Sequence, residues 1–244
     1  LYGEPSGLAT LRFGEKGALR AVLTVKTKGA HGAYPHLSDS AVKIAAALIK
    51  DLEQLASLSP DLPEKIVRVL ASHQTKTATN ESLGDGASEI VGVATVNVGV
   101  IRGGLKVNMM PDECVLEVEV RMPPGLQRAT VEQELQRILK RYPSTTCSIS
   151  QDHSYEPSWC DPEHEMARIL QDSAESVTGK RPQPIVSLGG SDARYWRYRG
   201  VPAFLYGPSP KTMGRRNEHV TIDELLSVVK VHAISSVRYL AADK

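Results

Sequence analysis

Apolar and polar residues alternate between Ala18 and Lys26, which is the period-two pattern of a strand with one buried face. An apolar stretch follows from Ile90 to Ile101, and a cleaner alternation extends from Glu113 to Met122. We predict strands at all three places, with the last two forming an antiparallel pair, and a short fourth strand over Thr145–Ser150.

Two segments between these strands carry apolar residues at helical spacing. The first is capped by Ser38 or Asp39 and extends to about Leu55, and the second begins at Thr130. Strands and helices thus follow the order βαββαβ, which is typical of a ferredoxin-like sandwich. We place this domain at residues 15–152.

The rest of the chain has a different pattern. Ser57–Ser88 is interpreted as a connection that contains a poorly defined extra strand. After residue 152 helices alternate with strands: a helix from about Pro162 to Val177, a strand near Pro184–Leu188, a short helix after the Gly-Gly-Ser-Asp turn, a strand over Val201–Tyr206 and a helix from Ile222 to about Leu240. We predict an α/β protein in which residues 1–14 and 153–244 form an incomplete α/β domain and the sandwich is inserted between them.

Composition and charge argue against several classes of function. The 29 Lys and Arg residues nearly balance 28 Asp and Glu, so bulk charge does not favour nucleic-acid binding. No apolar run reaches the length that spans a membrane, and the first residues do not form a secretory leader. Three cysteines without a CxxC motif make a disulfide framework unexpected. We therefore expect a cytoplasmic protein with no nucleic-acid or membrane partner.

Two short motifs carry candidate chemistry near the start of the chain. Pro5 restricts the backbone after Glu4, so the carboxylate can be held in one direction, as a metal ligand requires; a solvated loop glutamate is the alternative. Small residues surround His31 and leave room for a ligand beside the imidazole; a histidine that only hydrogen-bonds its own loop is equally consistent.

Further candidates follow along the chain. Asn108 precedes a proline-terminated turn and presents an amide, unless it only forms an Asx turn. Arg121 ends a strand and suits a substrate carboxylate, but pairing with the acidic residues two and four positions earlier is the alternative. The Gly189-Gly190-Ser191 turn lies between a strand and a helix, where backbone N–H groups favour anions. His219 follows a glutamate, like a metal ligand with a carboxylate partner; a cap region before the final helix is an equally consistent interpretation.

The order of these motifs resembles the co-catalytic zinc amidohydrolases and peptidases, a family that includes succinyl-diaminopimelate desuccinylase, acetylornithine deacetylase, aminoacylase and glutamate carboxypeptidase. The resemblance spans nearly all 244 residues: Gly-Glu-Pro-Ser, Ala-His-Gly-Ala-Tyr-Pro-His, Gly-Gly-x-x-x-Asn-x-x-Pro, a strand ending in Arg, and Gly-Gly-Ser-Asp-Ala-Arg. It implies a catalytic α/β domain that binds two zinc ions (cobalt or manganese in some members) and a ferredoxin-like lid that forms a homodimer.

The resemblance also implies roles for single residues. Glu4 would be a zinc ligand, and His31 would polarise the scissile carbonyl across the dimer. The substrate's carboxylate end would be held by Asn108, Arg121, Gly189, Gly190 and Ser191, with Arg194 behind them.

Two departures from the family pattern limit what this chain does alone. The other zinc ligands and the general base lie upstream of Gly-Glu-Pro in the family. We therefore expect this chain to be the C-terminal two-thirds of such an enzyme, without the N-terminal metal-binding part, and to be inactive by itself with no zinc bound. The family's C-terminal metal histidine has Gly214 in its place, and His219 is the candidate substitute.

Two functions remain open from the sequence. The parent protein would cleave an amide or peptide bond next to a free carboxylate, as in N-acyl amino acids or small peptides. The alternative is a catalytically silent module that dimerises or binds a small molecule.

Overall fold

Contacts divide the chain into two compact units in a computed structural model that describes residues 1–242. The sandwich unit comprises Gly17–Pro60 and Val93–Glu156. The α/β unit comprises Leu1–Lys16, Asp61–Gly92 and Pro157–Lys244.

The strands and helices are numbered in chain order. The strands are β1 (Thr10–Glu15), β2 (Gly17–Lys26), β3 (Ala30–His31), β4 (Thr95–Gly103), β5 (Met109–Met110), β6 (Glu113–Met122), β7 (Thr145–Ile149), β8 (Ser158–Trp159) and β9 (Gln183–Ser187). The α-helices are α1 (Ala41–Leu52), α2 (Glu64–Ala71), α3 (His73–Leu83), α4 (Ala87–Ile90), α5 (Arg128–Leu139), α6 (Glu165–Thr178), α7 (Ala193–Arg197) and α8 (Ile222–Ala242). Within residues 1–242 no helix is both long and apolar enough to cross a membrane.

The sandwich unit contains a four-stranded antiparallel sheet in the order β4-β6-β2-β7. Strand β2 pairs with β6 along its whole length, from Gly17 opposite Met122 to Lys26 opposite Glu113. Alternate residues of both strands are buried and share one apolar core with α1 and α5, because successive side chains of a strand point to opposite faces. The predicted ferredoxin-like βαββαβ fold is confirmed.

The α/β unit is built around β1, whose six residues are all buried. Strand β1 pairs in parallel with β9 and antiparallel with β8. Leu11 and Phe13 project into a core that includes Leu170 of α6 and Val231 of α8. A register shift between Arg12 and Gly14 interrupts the pairing with β9.

The segment between α1 and β4 differs from our expectation of a loop with an extra strand. It forms α2, α3 and α4, and its residues Asp61–Gly92 group with the α/β unit and not with the sandwich. The sandwich domain that we placed at residues 15–152 is therefore interrupted by a segment whose contacts are with the α/β unit. The apolar residues Ile66, Val69 and Leu70 lie on one side of a helix of only eight residues and pack in the α/β core, a pattern too short to stand out in the sequence.

Two local predictions are wrong, and one strand was not predicted. Val201–Tyr206 is not a strand: only Leu205 forms isolated bridges, with Tyr2 and Arg12, and Pro202 has no N–H to donate. Helix α1 is capped by Ser40, whose side chain accepts a hydrogen bond from the N–H of Lys43, and not by Ser38 or Asp39. Strand β1 was missed because charged residues interrupt its apolar pattern.

Candidate functional site

Two site residues of the sandwich unit, His31 and Asn108, are brought together by the β3–β5 ribbon. Ala30 pairs with Met110 and His31 with Met109. The N–H of Gly32 donates to the carbonyl of Asn108 at 2.8 Å. A Cβ at Gly32 would lie 3.2 Å from that carbonyl, so glycine allows the two loops to approach.

The His31 imidazole is exposed, and its loop orients it. Its Nδ1 accepts a hydrogen bond from the N–H of Ala33 at 3.2 Å. In the neutral ring the proton therefore resides on Nε2, since one nitrogen of a neutral imidazole accepts and the other donates. The loop thus leaves a hydrogen-bond donor on the outer side of the ring.

Arg121 is held by an acidic residue of its own strand. Its Nε and Nη2 donate to the two oxygens of Glu119 at 2.8 and 3.0 Å, and its Nη1 donates to the hydroxyl of Tyr155 at 3.0 Å. Arg20 also donates to Glu119, at 2.8 Å. Burial by itself would raise the pKa of Glu119, but the hydrogen bonds and charges of Arg20 and Arg121 outweigh it and lower that pKa. The pairing that the sequence offered as the alternative is therefore present.

The depressed pKa of Glu119 makes the stability of the sandwich unit depend on pH. Its contribution is complete above the ordinary value of 4.5 and is lost as the pH falls through the lower folded-state pKa. We expect Glu119→Gln to lower the free energy of unfolding by about 1–2 kcal/mol at pH 7, and the difference to shrink below pH 4. Urea unfolding followed by circular dichroism at several pH values measures this.

The matched control for that series is Glu117→Gln. Glu117 lies on the same strand, is half exposed and pairs with Arg102 only at 3.9 Å. A pH-independent difference for Glu119→Gln, or an equal effect of both variants, would contradict the role of the Arg20–Glu119–Arg121 cluster.

In the α/β unit, Glu4 lies beside the Gly-Gly-Ser-Asp turn. Its Oε1 accepts a hydrogen bond from the N–H of Asp192 at 3.2 Å. Gly207 packs so closely under this segment that a Cβ would lie 2.2 Å from the carbonyl oxygen of Glu4. The backbone that carries the carboxylate is therefore fixed, and the side chain is directed toward the turn.

The turn itself combines exposed and buried parts. Gly189 and Gly190 are exposed, and a Cβ at Gly189 would meet no atom within 4 Å. Ser191 is buried, and Arg194 donates to its carbonyl oxygen at 2.6 Å. The Arg194 guanidinium also lies 4.5 Å from the centre of the Tyr195 ring. Arg194 thus supports the turn from the side of the following helix.

His219 lies in an exposed loop that is stabilised by its own hydrogen bonds. Its Nδ1 lies 2.7 Å from the carbonyl oxygen of Asn217, and Thr212 bonds both the N–H and the carbonyl of His219. Asn217 has a φ of 97°, a left-handed conformation that asparagine tolerates better than most residues. Glu218, which the sequence suggested as a carboxylate partner, instead accepts from the N–H of Gly214.

The side chains of this chain do not fit a zinc site by themselves. Among residues 1–242 no group of three or more His, Cys, Asp or Glu side chains could hold a metal ion. Glu4 and His219 therefore do not complete a metal centre, because zinc sites use three or four protein ligands.

Sequence reasoning missed a buried charged cluster beside the turn. Glu15 accepts from the hydroxyl of Ser191 and from Arg197 Nη1 at 3.2 Å, and the side chains of Glu15 and Arg197 are 0% and 1% exposed. Burial raises the pKa of Glu15, against the hydrogen bonds of Ser191 and the charges of Arg197 and Arg194. No clear signal in the sequence indicated this cluster, because Arg12 and Glu15 both interrupt the apolar pattern of the segment.

Arg12 belongs to the same buried layer. Its Nη1 donates to Ser187 at 3.2 Å, while its Nε and Nη2 are buried without a hydrogen-bond partner. Burial lowers the pKa of Arg12 to about 10, although the nearby charges of Glu4 and Glu15 act in the opposite direction. The underside of the turn is therefore a layer of buried charges.

Comparisons with known proteins identify the family of the chain. Residues 13–147 match the model of the M20 peptidase dimerisation domain. This chain belongs to the M20 peptidase family. The matched residues include strands β2, β4 and β6 and helices α1 and α5 of the sandwich unit, and the match ends within β7.

Curated relatives of this M20 chain carry names of two kinds. A probable carboxypeptidase of Aspergillus flavus is 26% identical over 94% of the chain and 49% of its own length. A succinyl-diaminopimelate desuccinylase of Xanthomonas campestris pv. campestris is 26% identical over 92% of the chain and 54% of its own length. The chain thus spans about half the length of the curated relatives it matches.

A solved structure gives the same fold. The M20 family metallo-carboxypeptidase of Sulfolobus solfataricus superimposes with a TM-score of 0.74 at 17% identity, covering 96% of this chain and 62% of that one.

Proposed function

We propose that the parent protein of this M20 chain is a zinc-dependent hydrolase that cleaves an amide or peptide bond next to a free carboxylate. Membership of a peptidase family supports the reaction class. The observation that carries the proposal is the contact between Glu4 and the N–H of Asp192, because Glu4 is the proposed metal ligand and Asp192 directly follows the proposed substrate-binding turn. An N-acyl amino acid or a small peptide is the proposed substrate.

The sandwich unit would act on the scissile carbonyl and on the carboxylate end of the substrate. The Nε2–H of His31 would donate to the carbonyl oxygen, where negative charge develops during hydrolysis. Asn108, whose carbonyl accepts a hydrogen bond from Gly32 next to His31, would bind the carboxylate end of the substrate. Arg121 would bind the substrate carboxylate in competition with Glu119, which accepts hydrogen bonds from Nε and Nη2 of its guanidinium group.

The α/β unit would supply one zinc ligand and part of the carboxylate site. Glu4 is the proposed ligand, and His219 is the proposed substitute for the histidine that Gly214 replaces. Gly189 and Gly190 would present exposed backbone groups to the substrate, supported by Ser191 and Arg194. The remaining zinc ligands would come from parts of the parent protein outside these 244 residues.

We also propose that the sandwich unit forms a homodimer, as the name of its matching family model indicates. Strand β4 lies at the edge of the sheet, so the backbone groups along its outer side can pair with another strand. Ile101 on this strand is 51% exposed.

The state of the cysteines supports the expected cytoplasmic location. Cys114, Cys147 and Cys160 are free thiols. Burial raises the pKa of each, which lowers the fraction of reactive thiolate. Three cysteines without a disulfide suit a reducing compartment.

Metal analysis and an activity assay test the proposed function. The parent protein and the 244-residue chain would be purified separately, analysed for zinc and assayed with N-acyl amino acids and dipeptides. We expect about two zinc ions per subunit and hydrolysis for the parent only, because a co-catalytic centre holds two ions about 3.5–4 Å apart.

The opposite result would favour the alternative function. Negligible zinc and no hydrolysis in both proteins would indicate a catalytically silent dimerisation or small-molecule-binding module.

A further inference from the structure

The side chain of Ser191 points into the protein. Its hydroxyl donates to Oε2 of Glu15, its backbone N–H faces the same carboxylate, and the residue is only 6% exposed. A hydroxyl can donate only one hydrogen bond, and here the carboxylate of Glu15 accepts it. Ser191 therefore serves the turn as an anchor and has no proton left to donate to a substrate.

Glu15 is itself held in place from the other side. Arg197 Nη1 lies 3.2 Å from Oε2 of Glu15, and the same guanidinium donates to the carbonyl of Ala203 at 2.9 and 2.7 Å and to Ser158 at 3.3 Å. A planar guanidinium with several bonds has little freedom to move. Because Glu15 is also the last residue of the buried strand β1, its carboxylate has a fixed position.

The exposed half of the turn depends on this anchor. Gly189 and Gly190 have no side chains to hold them, and a Cβ at Gly189 would point into open space. The next fixed points along the chain are Ser191 and the N–H of Asp192 on Glu4. The orientation of the glycine peptides is thus set at one end of the turn by the buried bond of Ser191 and the exposed bond of Asp192.

We propose that Glu15 is a positioning residue for the substrate site: through Ser191 it holds the Gly189-Gly190 peptides in the orientation that binds the substrate carboxylate. The inference rests on the proposed function and deepens it, since it moves Ser191 from substrate contact to anchor. Glu15 does not touch the substrate, and Arg197 acts only by fixing Glu15.

Steady-state kinetics of the full-length parent protein with an N-acyl amino acid test the inference. Ser191→Ala removes the anchor bond, and we expect KM to rise about tenfold or more while kcat changes by less than about twofold, because a hydrogen bond to a charged group is lost and the chemical step is not. Ser191→Thr keeps the hydroxyl and is expected to restore KM to within about threefold of the wild type.

Two further measurements separate positioning from folding. The methyl ester of the same substrate lacks the carboxylate, so its KM is expected to change by less than about twofold in Ser191→Ala. Gly189→Ala, whose Cβ meets no neighbour, is expected to keep the melting temperature and raise KM for the acid. Ser235→Ala removes another buried serine hydroxyl of the α/β unit, one without a hydrogen-bond partner, and is the control.

The outcomes distinguish the inference from the proposed function. A wild-type parent that hydrolyses no such substrate contradicts the proposed function and the inference together. An active parent in which Ser191→Ala leaves KM for the acid unchanged, or raises KM equally for acid and ester, contradicts the inference alone.

Discussion

Replacing His31 with alanine in the full-length parent protein is expected to lower kcat about 100-fold or more while the zinc content stays the same. Loss of one preorganised donor to a developing oxyanion has an effect of about this size, equivalent to about 3 kcal/mol. The structure supplies the orientation: Ala33 N–H binds Nδ1, so the proton of the neutral ring is on Nε2. Turnover and metal analysis of the purified variant measure the two quantities.

His36→Ala is the matched control for His31→Ala. His31 is the last residue of β3, and His36 lies in the exposed loop that follows it. The rings of His36 and Tyr34 lie edge-on, with their centres 6.2 Å apart. We expect its replacement to change kcat by less than about threefold. Equal losses in both variants would indicate damage to the loop, and unchanged turnover in His31→Ala would remove His31 from the site.

Arg197→Met is expected to lower the free energy of unfolding of the α/β unit by about 3–5 kcal/mol at pH 7. Removing one member of a buried ion pair leaves the other charge without compensation, and this is more costly than losing an exposed pair. Here Glu15 would lose its cation and the carbonyl of Ala203 would lose two donors. The methionine keeps most of the apolar stem, so the effect is electrostatic more than steric.

The two tryptophans make this measurement specific. Trp159 and Trp196 both belong to the α/β unit, so urea unfolding followed by tryptophan fluorescence reports on that unit. Arg199→Met is the control, because Arg199 is exposed and donates one bond to the carbonyl of Tyr195 at 3.2 Å. A change of about 0.5 kcal/mol or less is expected for the control. Equal small losses in both variants would show that the buried pair contributes little.

The sandwich was predictable because its signals are local and repeated. Strand β6 alternates along its whole length, and its observed limits, Glu113–Met122, are the predicted ones. Helix α1 was recognisable from its apolar spacing, with an error of two residues at most in its cap. Where one face of an element is buried along its whole length, the period of the apolar residues identifies the element.

The α/β unit was harder because its elements are short or buried on both faces. Strand β1 has no alternation, since all six residues are buried, and Arg12 and Glu15 resemble surface residues in the sequence. The segment 201–206 looked like a strand by composition but makes only isolated bridges at Leu205. Composition does not show how many backbone N–H and C=O groups of a segment pair with a neighbouring strand. In the part of the chain that the structure describes, this pairing is limited to bonds with Tyr2 and Arg12.

For the candidate site, the sequence indicated the residues, and the structure showed the contacts between them. Motif order pointed to Glu4, His31, Asn108 and the Gly189-Gly190-Ser191 turn, and the roles of these residues remain predictions. The contacts among them came from the structure: Gly32 brings the His31 and Asn108 loops together, and Asp192 joins Glu4 to the turn. The hydrogen bond from Ser191 to Glu15 also came from the structure, since the two residues are 176 positions apart in sequence.

The sequence alone determined the βαββαβ order, the family and the candidate residues, since these follow from local periodicity and from motifs a few residues long. Only the tertiary structure decided that residues 61–92 belong to the α/β unit, that Arg121 pairs with Glu119 and that the Ser191 hydroxyl donates to Glu15. The physical reason is the distance along the chain over which each feature is determined. Amphipathic periodicity depends on neighbouring residues, whereas the partner of a buried charge depends on which distant segments pack together and exclude water.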